Sequence, residues 1–336
     1  VSRMSLTPKQ IPEGAIRYNT DSNKMELWNG NKWMIVATST SNLNGGARGV
    51  YMAGDPGSGA GDAIDLITIS SQGNAIDFGN SSQARRGGRG CGSRTRGILM
   101  GGAGSSPRFN IIDFITIAST GDATDFGDLQ SKRTTDCASN QTRGLALGGS
   151  QPGGNTDQID FITIASTGDG VDFGNMSNAN RADGAGFASP TRAFQAGTGG
   201  NPDSGEFVTI ATLGNATEFT DGSYSGSSSG QGASNSIRVF VMGGYSPAYV
   251  ATIKFIEMAS LGNAATFGDL TVAGGIGDGT ASSTRAVAFG RYKSPGTNDG
   301  TIDYITIATQ GDAVDFGDMN ETRRNGGATS TAHGGL

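Results

Sequence analysis

Six internal copies of one pattern constrain this chain more than any other feature. Each copy opens on an arginine, at Arg48, Arg96, Arg143, Arg192, Arg238 and Arg285, with successive spacings of 48, 47, 49, 46 and 47 residues. In the second copy, Arg96-Gly97-Ile98-Leu99-Met100-Gly101-Gly102 reads as a short strand ending in a glycine pair. Residues 111–118 follow, rich in β-branched and aromatic side chains as strands are. Gly121-Asp122 marks a tight hairpin, because such turns need backbone angles that Gly, Asn and Asp tolerate best. A third strand spans 123–127, and a fourth is expected around 133–139, with Asn140-Gln141-Thr142 turning the chain into the next copy.

A β-type period of this length predicts four-stranded propeller blades. The expected fold is all-β: a six-bladed β-propeller over 48–336, preceded by a small N-terminal β module (1–37) and a flexible linker (38–47). Composition narrows the choice in the same direction. With 57 glycines, 35% apolar residues and 16% charged ones, the chain is either disordered or built of many short strands joined by glycine turns, and its regular apolar runs favour strands. The second strand is apolar on both faces, which suits a sheet covered on each side by its neighbours. A lone copy should therefore be unstable.

The recurring aromatics Phe78, Phe126, Phe173, Phe219, Phe267 and Phe316 are expected to pack blade on blade. In four copies they stand in an Asp-Phe-Gly string that superficially matches a kinase metal-binding triplet; its recurrence at the repeat period argues for a structural part instead. The six leading arginines read either as an anion-binding ring or as structural groups pairing with carboxylates such as Asp122 or Asp125. Cys91 and Cys137 take equivalent places in neighbouring copies, expected to be too far apart for a disulfide, and read as free buried thiols.

The N-terminal piece has a different texture, with short strands at 15–19, 24–28 and 32–36 separated by turn-forming residues. Three such strands bury too little to stand alone, so a partner or symmetry should support them. Trp28 and Trp33, the only tryptophans, read as local core or as anchors of a subunit interface.

The order of glycine pair, apolar strand, aromatic strand and arginine-flanked strand resembles the kelch repeat, with Phe where kelch usually has Trp. The glycine pair is broken at Ala53-Gly54, Gly197-Thr198 and Gly290-Arg291. More closely, strings such as residues 112–129, IDFITIASTGDATDFGDL, look like repeats of structural and fibre-type proteins of marine tailed bacteriophages. The N-terminal module is similar to short β modules that precede distal domains in phage fibres. That resemblance implies a virion protein, partnered by other virion proteins and a host cell-surface glycan or protein, and association as a homotrimer.

Within one chain the copies also show where a ligand would bind. The Gly-Asp/Asn turn barely changes, whereas the loops after the first and third strands diverge, and binding loops are free to do so. Tyr224, Tyr245, Tyr249, Arg291 and Tyr292 on those loops are the expected ligand contacts. A net charge of −6 disfavours nucleic acid, and no apolar run is long enough to span a membrane. The single histidine, His333, gives no basis for a His triad or zinc site, so no enzyme and no cofactor is expected. Asp55, Asp62 and Asp65 are the one candidate set for Ca2+. The alternatives are a purely structural capsid or tail decoration or spacer, and a glycan hydrolase with paired carboxylates, the latter weakened because most aspartates recur at the repeat period.

Overall fold

The computed structural model describes residues 11–20, 24–35, 47–177, 179, 183–198, 205–220, 229–245 and 247–336, and divides into two compact units, 1–45 and 46–336. Among the described residues there is no helix, and the strands form a three-stranded sheet in the first unit and, in the second, six four-stranded antiparallel sheets and one two-stranded hairpin. The fold is all-β and propeller-like. Most of the expected linker and Tyr224 lie outside the described residues.

The six sheets share one plan. Sheet one is Gly327–Ser330, Arg48–Gly54, Gly61–Thr68 and Ile76–Arg85; sheet two is Arg89–Gly92, Arg96–Met100, Ile111–Thr116 and Thr124–Asp128. Sheet three is Thr134–Ser139, Arg143–Gln151, Gly154–Thr163 and Val171–Asn175; sheet four is Ala185–Ala188, Arg192–Ala196, Gly205–Thr209 and Thr217–Thr220. Sheet five is Gln231–Ser234, Arg238–Tyr245, Tyr249–Glu257 and Ala265–Asp269; sheet six is Asp278–Ala281, Arg285–Phe289, Thr301–Thr306 and Val314–Asp318. The first strands touch one another in sequence from sheet two to sheet six, and Gly327–Ser330 of sheet one touches both Asp278–Ala281 and Arg89–Gly92.

This plan corrects the strand phase expected from the sequence. The strand at 133–139 does not close its own copy; it pairs with Arg143–Gln151 and leads the next sheet. Turns such as Ser93 to Arg96, closed by the Ser93 amide donating to the Arg96 carbonyl (2.8 Å), are hairpins within a sheet. Consequently the last strand, Gly327–Ser330, is added beside Arg48–Gly54, so sheet one is assembled from the two ends of the repeat region.

The constant Gly-Asp/Asn turn is constant because it clasps the preceding sheet. In sheet two Gly121 N donates to Phe78 O (2.8 Å) and Ala123 N to Asn80 O (2.7 Å), while Asp122 Oδ1 accepts from Asn80 N (2.9 Å). Equivalent clasps join sheets two and three, three and four, and five and six, and Gly73, Asn74 and Ala75 of sheet one clasp Phe316 and Asp318 of sheet six. The glycine of the Phe-Gly string is demanded by this contact: a Cβ on Gly127, whose φ is +145°, would stand 2.5 Å from the Gly168 carbonyl oxygen. The phenylalanine beside it is core, with Phe126 packed among Ile98, Ile112, Leu129 and Ile164.

The leading arginines are structural, though not through carboxylates at the constant turn as expected. Arg96 lies 4.7 Å from the centre of the Phe114 ring and donates to Ile164 O of sheet three (2.8 Å). Arg48, Arg143, Arg238 and Arg285 reach the corresponding carbonyls of Ile117, Ile210, Ile307 and Ile69 in the next sheet. In Arg96, Arg143, Arg238 and Arg285 the guanidinium thus joins its own sheet's aromatic face to its neighbour's backbone, while Arg48 makes the backbone contact beside Leu66 instead of an aromatic ring.

In the first unit, Ile16–Asn19, Lys24–Trp28 and Trp33–Ile35 pair in order. Trp28 pairs with Trp33 at 5.4 Å, Arg17 lies over Trp33 at 4.2 Å and also binds Glu26, so this face is the module's own packed side. Trp28 is buried and Trp33 half-buried, so Trp28 is part of the module's own core while Trp33 keeps part of its ring exposed. The opposite face carries Ile16, Tyr18, Met25 and Met34, all exposed, with Leu27 between them.

Candidate functional site

Three of the five expected ligand contacts come together. Tyr245 and Tyr249 face each other across the end of their hairpin in sheet five, with ring centres 5.1 Å apart. Tyr249 meets Tyr292 edge to face at 5.7 Å. Tyr292 sits on a small extra hairpin, Arg291–Lys293 paired with Thr297–Asp299, inserted between the second and third strands of sheet six. Tyr245 is 45% exposed while Tyr249 and Tyr292 are half-buried, so the cluster is both anchored and open to water. Tyrosine suits such a place, with an apolar ring and a polar tip.

Sequence reasoning missed the charged floor beside these rings. The Arg324 guanidinium lies 3.8 Å from the centre of the Tyr292 ring. Arg324 and Arg86 both bind Asp55 Oδ2, at 3.2 and 2.8 Å, and Asp55 Oδ1 accepts from Gly57 N (2.7 Å). Burial pushes the Asp55 carboxyl up, but the Gly57 amide and the two guanidiniums outweigh it and hold it below its usual value. Asn298 ties the extra hairpin to this floor by donating to Asp55 O (2.8 Å). The signal was present in the sequence: Arg85-Arg86 and Arg323-Arg324 are the same doubled arginine at equivalent places in the first and last copies.

Arg291 is a correction. It is fully buried, donates to Asp303 Oδ2 (2.8 Å) and to the carbonyls of Val272 and Thr301, and presents nothing to a ligand. The calcium set is also dispersed, because Asp55 is held by arginines and Asp65 is buried against Arg323. Among the described residues no group of three acidic, Cys or His side chains could hold a metal.

A second polar cluster lies where the first strands meet. Arg89 donates to Asn325 Oδ1 (3.1 Å) and Gly326 O (3.0 Å), with Asp136 Oδ1 at 3.6 Å. Asp278, fully enclosed, accepts from Gly279 N and Ala328 N, and burial pushes its carboxyl up to about 7 against the pull of Arg89. At the other end of these strands His333 donates to Gly92 O (3.0 Å) and accepts from Gly335 N; burial pushes its imidazole down to about 4. His333 lines a small cavity with Cys91, Cys137 and Thr329. Both thiols are free and buried as expected, yet they are neighbours: first strands of adjacent sheets touch, and burial together with the adjacent Cys91 thiol pushes Cys137 well up.

Comparison of the chain with models of protein families and with curated proteins found no match.

Proposed function

We propose that residues 48–336 form a closed six-bladed propeller, and that the chain is a non-enzymatic binding and structural protein of a tailed-phage particle. In this reading it is a fibre or decoration protein whose variable rim binds a host-surface glycan or protein. The cyclic order of touching first strands and the clasp between sheets six and one support the ring. The observation that carries binding is the open Tyr245–Tyr249–Tyr292 cluster, standing on a rim whose loops diverge while the opposite turns are fixed by packing. The phage setting rests on the resemblance of the repeat strings and the N-terminal module.

Hydrolysis is less favoured. The recurring aspartates Asp65, Asp113, Asp160 and Asp303 are all buried against arginines, which leaves them unsuited to flank a glycosidic bond. For association with copies of itself or with other virion proteins, the exposed Ile16, Tyr18, Met25 and Met34 face is a better surface than the tryptophans.

Adsorption of the labelled full chain to bacterial cells tests the reading. Saturable binding that Tyr249→Ser reduces at least tenfold is expected, with unchanged thermal unfolding. Saturable binding unaffected by substitutions in the cluster would move the site elsewhere, and failure to adsorb to any host that the phage infects would leave a purely structural spacer.

A further inference from the structure

The groups beside the tyrosines specify more than a generic sticky surface. Arg86, Arg324 and Lys293 stand there with two carboxylates, Asp55 and Asp299, the latter paired with Lys293. One positive charge is left over on a chain whose overall charge is −6. Asp55 stays ionised and buried, so its work is to hold two guanidiniums side by side; it cannot also face a ligand. Each arginine meets it through a single nitrogen, and Arg86 keeps 38% of its side chain exposed. A guanidinium with free edges matches the flat fork of a carboxylate.

Resting on the binding reading above, we propose that this site takes an acidic saccharide: a uronic-acid unit of a surface polysaccharide, its ring against Tyr245 and Tyr249 and its carboxylate toward Arg86 and Arg324. The two halves of the site match the two halves of that ligand. A sugar ring has an apolar C–H face for the tyrosine rings and hydroxyls for their polar tips. The sugar carboxylate would replace water on arginines that a buried carboxylate has already ordered, which lessens the entropy lost on binding. The pieces come from sheet five, the sheet-six hairpin, the loop of sheet one and the segments leading into sheets one and two, so the site exists only when these are assembled. Nucleic acid, the other common polyanion, is disfavoured by the chain's net negative charge.

Calorimetric titration of the full chain with oligogalacturonate, and in parallel with its carboxyl-reduced counterpart, tests the proposal. The acidic oligomer is expected to bind at least tenfold more tightly than the reduced one, and more weakly as salt is raised from 50 to 300 mM, roughly as screening of one or two charges requires. Tyr245→Ala, on an exposed ring, and Arg324→Lys, which keeps the charge but loses the flat fork, should each weaken it fivefold or more. Equal binding of both oligomers would overturn the acidic class while leaving a tyrosine-lined sugar site. No binding of either, with cell adsorption intact and sensitive to Tyr249→Ser, would overturn the saccharide and leave the binding reading standing. Loss of both would overturn the two together.

Discussion

Gly274 and Arg291 hold exchanged residue types. In sheets one, two and three an arginine eight or seven positions before the first hairpin turn (Arg323, Arg85, Arg133) is buried against the third-strand aspartate, Asp65, Asp113 or Asp160. In sheets one and two the second residue of the Ala/Gly-Gly pair at the end of the second strand makes room for it, a Cβ on Gly54 falling 3.5 Å from Arg323 Cδ and one on Gly102 3.1 Å from Arg85 Cδ. In sheet six the lead-in position is Gly274 and the arginine has moved to the glycine's place, as Arg291. A Cβ on Gly274 would stand 2.9 Å from Arg291 Cδ, and Asp303 still receives its guanidinium.

This exchange is testable by a double-mutant cycle in urea. Arg291→Gly should destabilise by about 3–5 kcal/mol, because Asp303 is then buried without its cation. Gly274→Arg alone should also destabilise, by crowding Arg291. The double variant should recover at least half of the loss from Arg291→Gly; additive losses would show that the two positions are not equivalent.

Gly127 gives a second prediction. Its Cβ would meet the Gly168 carbonyl at 2.5 Å in a backbone conformation that L side chains avoid, so Gly127→Ala should cost about 2 kcal/mol or more and loosen the clasp between sheets two and three. Gly262 has open space around it and no positive φ, so Gly262→Ala should leave the midpoint within about 0.5 kcal/mol. Equal effects of the two would count against the clasp.

What the sequence made legible and what it hid follow from the range of the contacts. The repeat, the aromatic core positions and the fixed Gly-Asp turn are written locally and recur, so one copy explains the next. The strand phase was hidden because a repeat can be cut anywhere, and pairings such as Ser93–Arg96 and Asn140–Arg143 show that the hairpin lies inside a sheet. Arg291 misled for a related reason: in a variable loop it reads as exposed, and its burial depends on a glycine seventeen residues earlier in the chain. Tyr245, Tyr249 and Tyr292 stand out in the sequence because their loops diverge between copies, but Arg324 reaches Tyr292 from the far end of the sequence, beyond any local pattern.

The last prediction concerns pH, where two buried groups act in opposite directions. Asp278 has a folded pKa of about 7, above its unfolded value near 4, so the folded state holds the proton more tightly. Its burial therefore weighs on stability as pH rises from about 4 to 7, by up to ~4 kcal/mol. His333 has a folded pKa of about 4, below its unfolded value near 6.5, so stability is lost as pH falls through that window, by up to ~3 kcal/mol. Relative to the parent chain, Asp278→Asn should gain stability as pH is raised from 4 to 7, offset by a constant loss from the amide facing the Ala328 N–H. His333→Gln should instead gain relative stability as pH is lowered from 6.5 to 4. Urea midpoints of the three proteins at half-unit intervals decide the matter: difference curves flat over this range would mean that neither group is held away from water as the packing around Gly92, Gly279 and Ala328 requires.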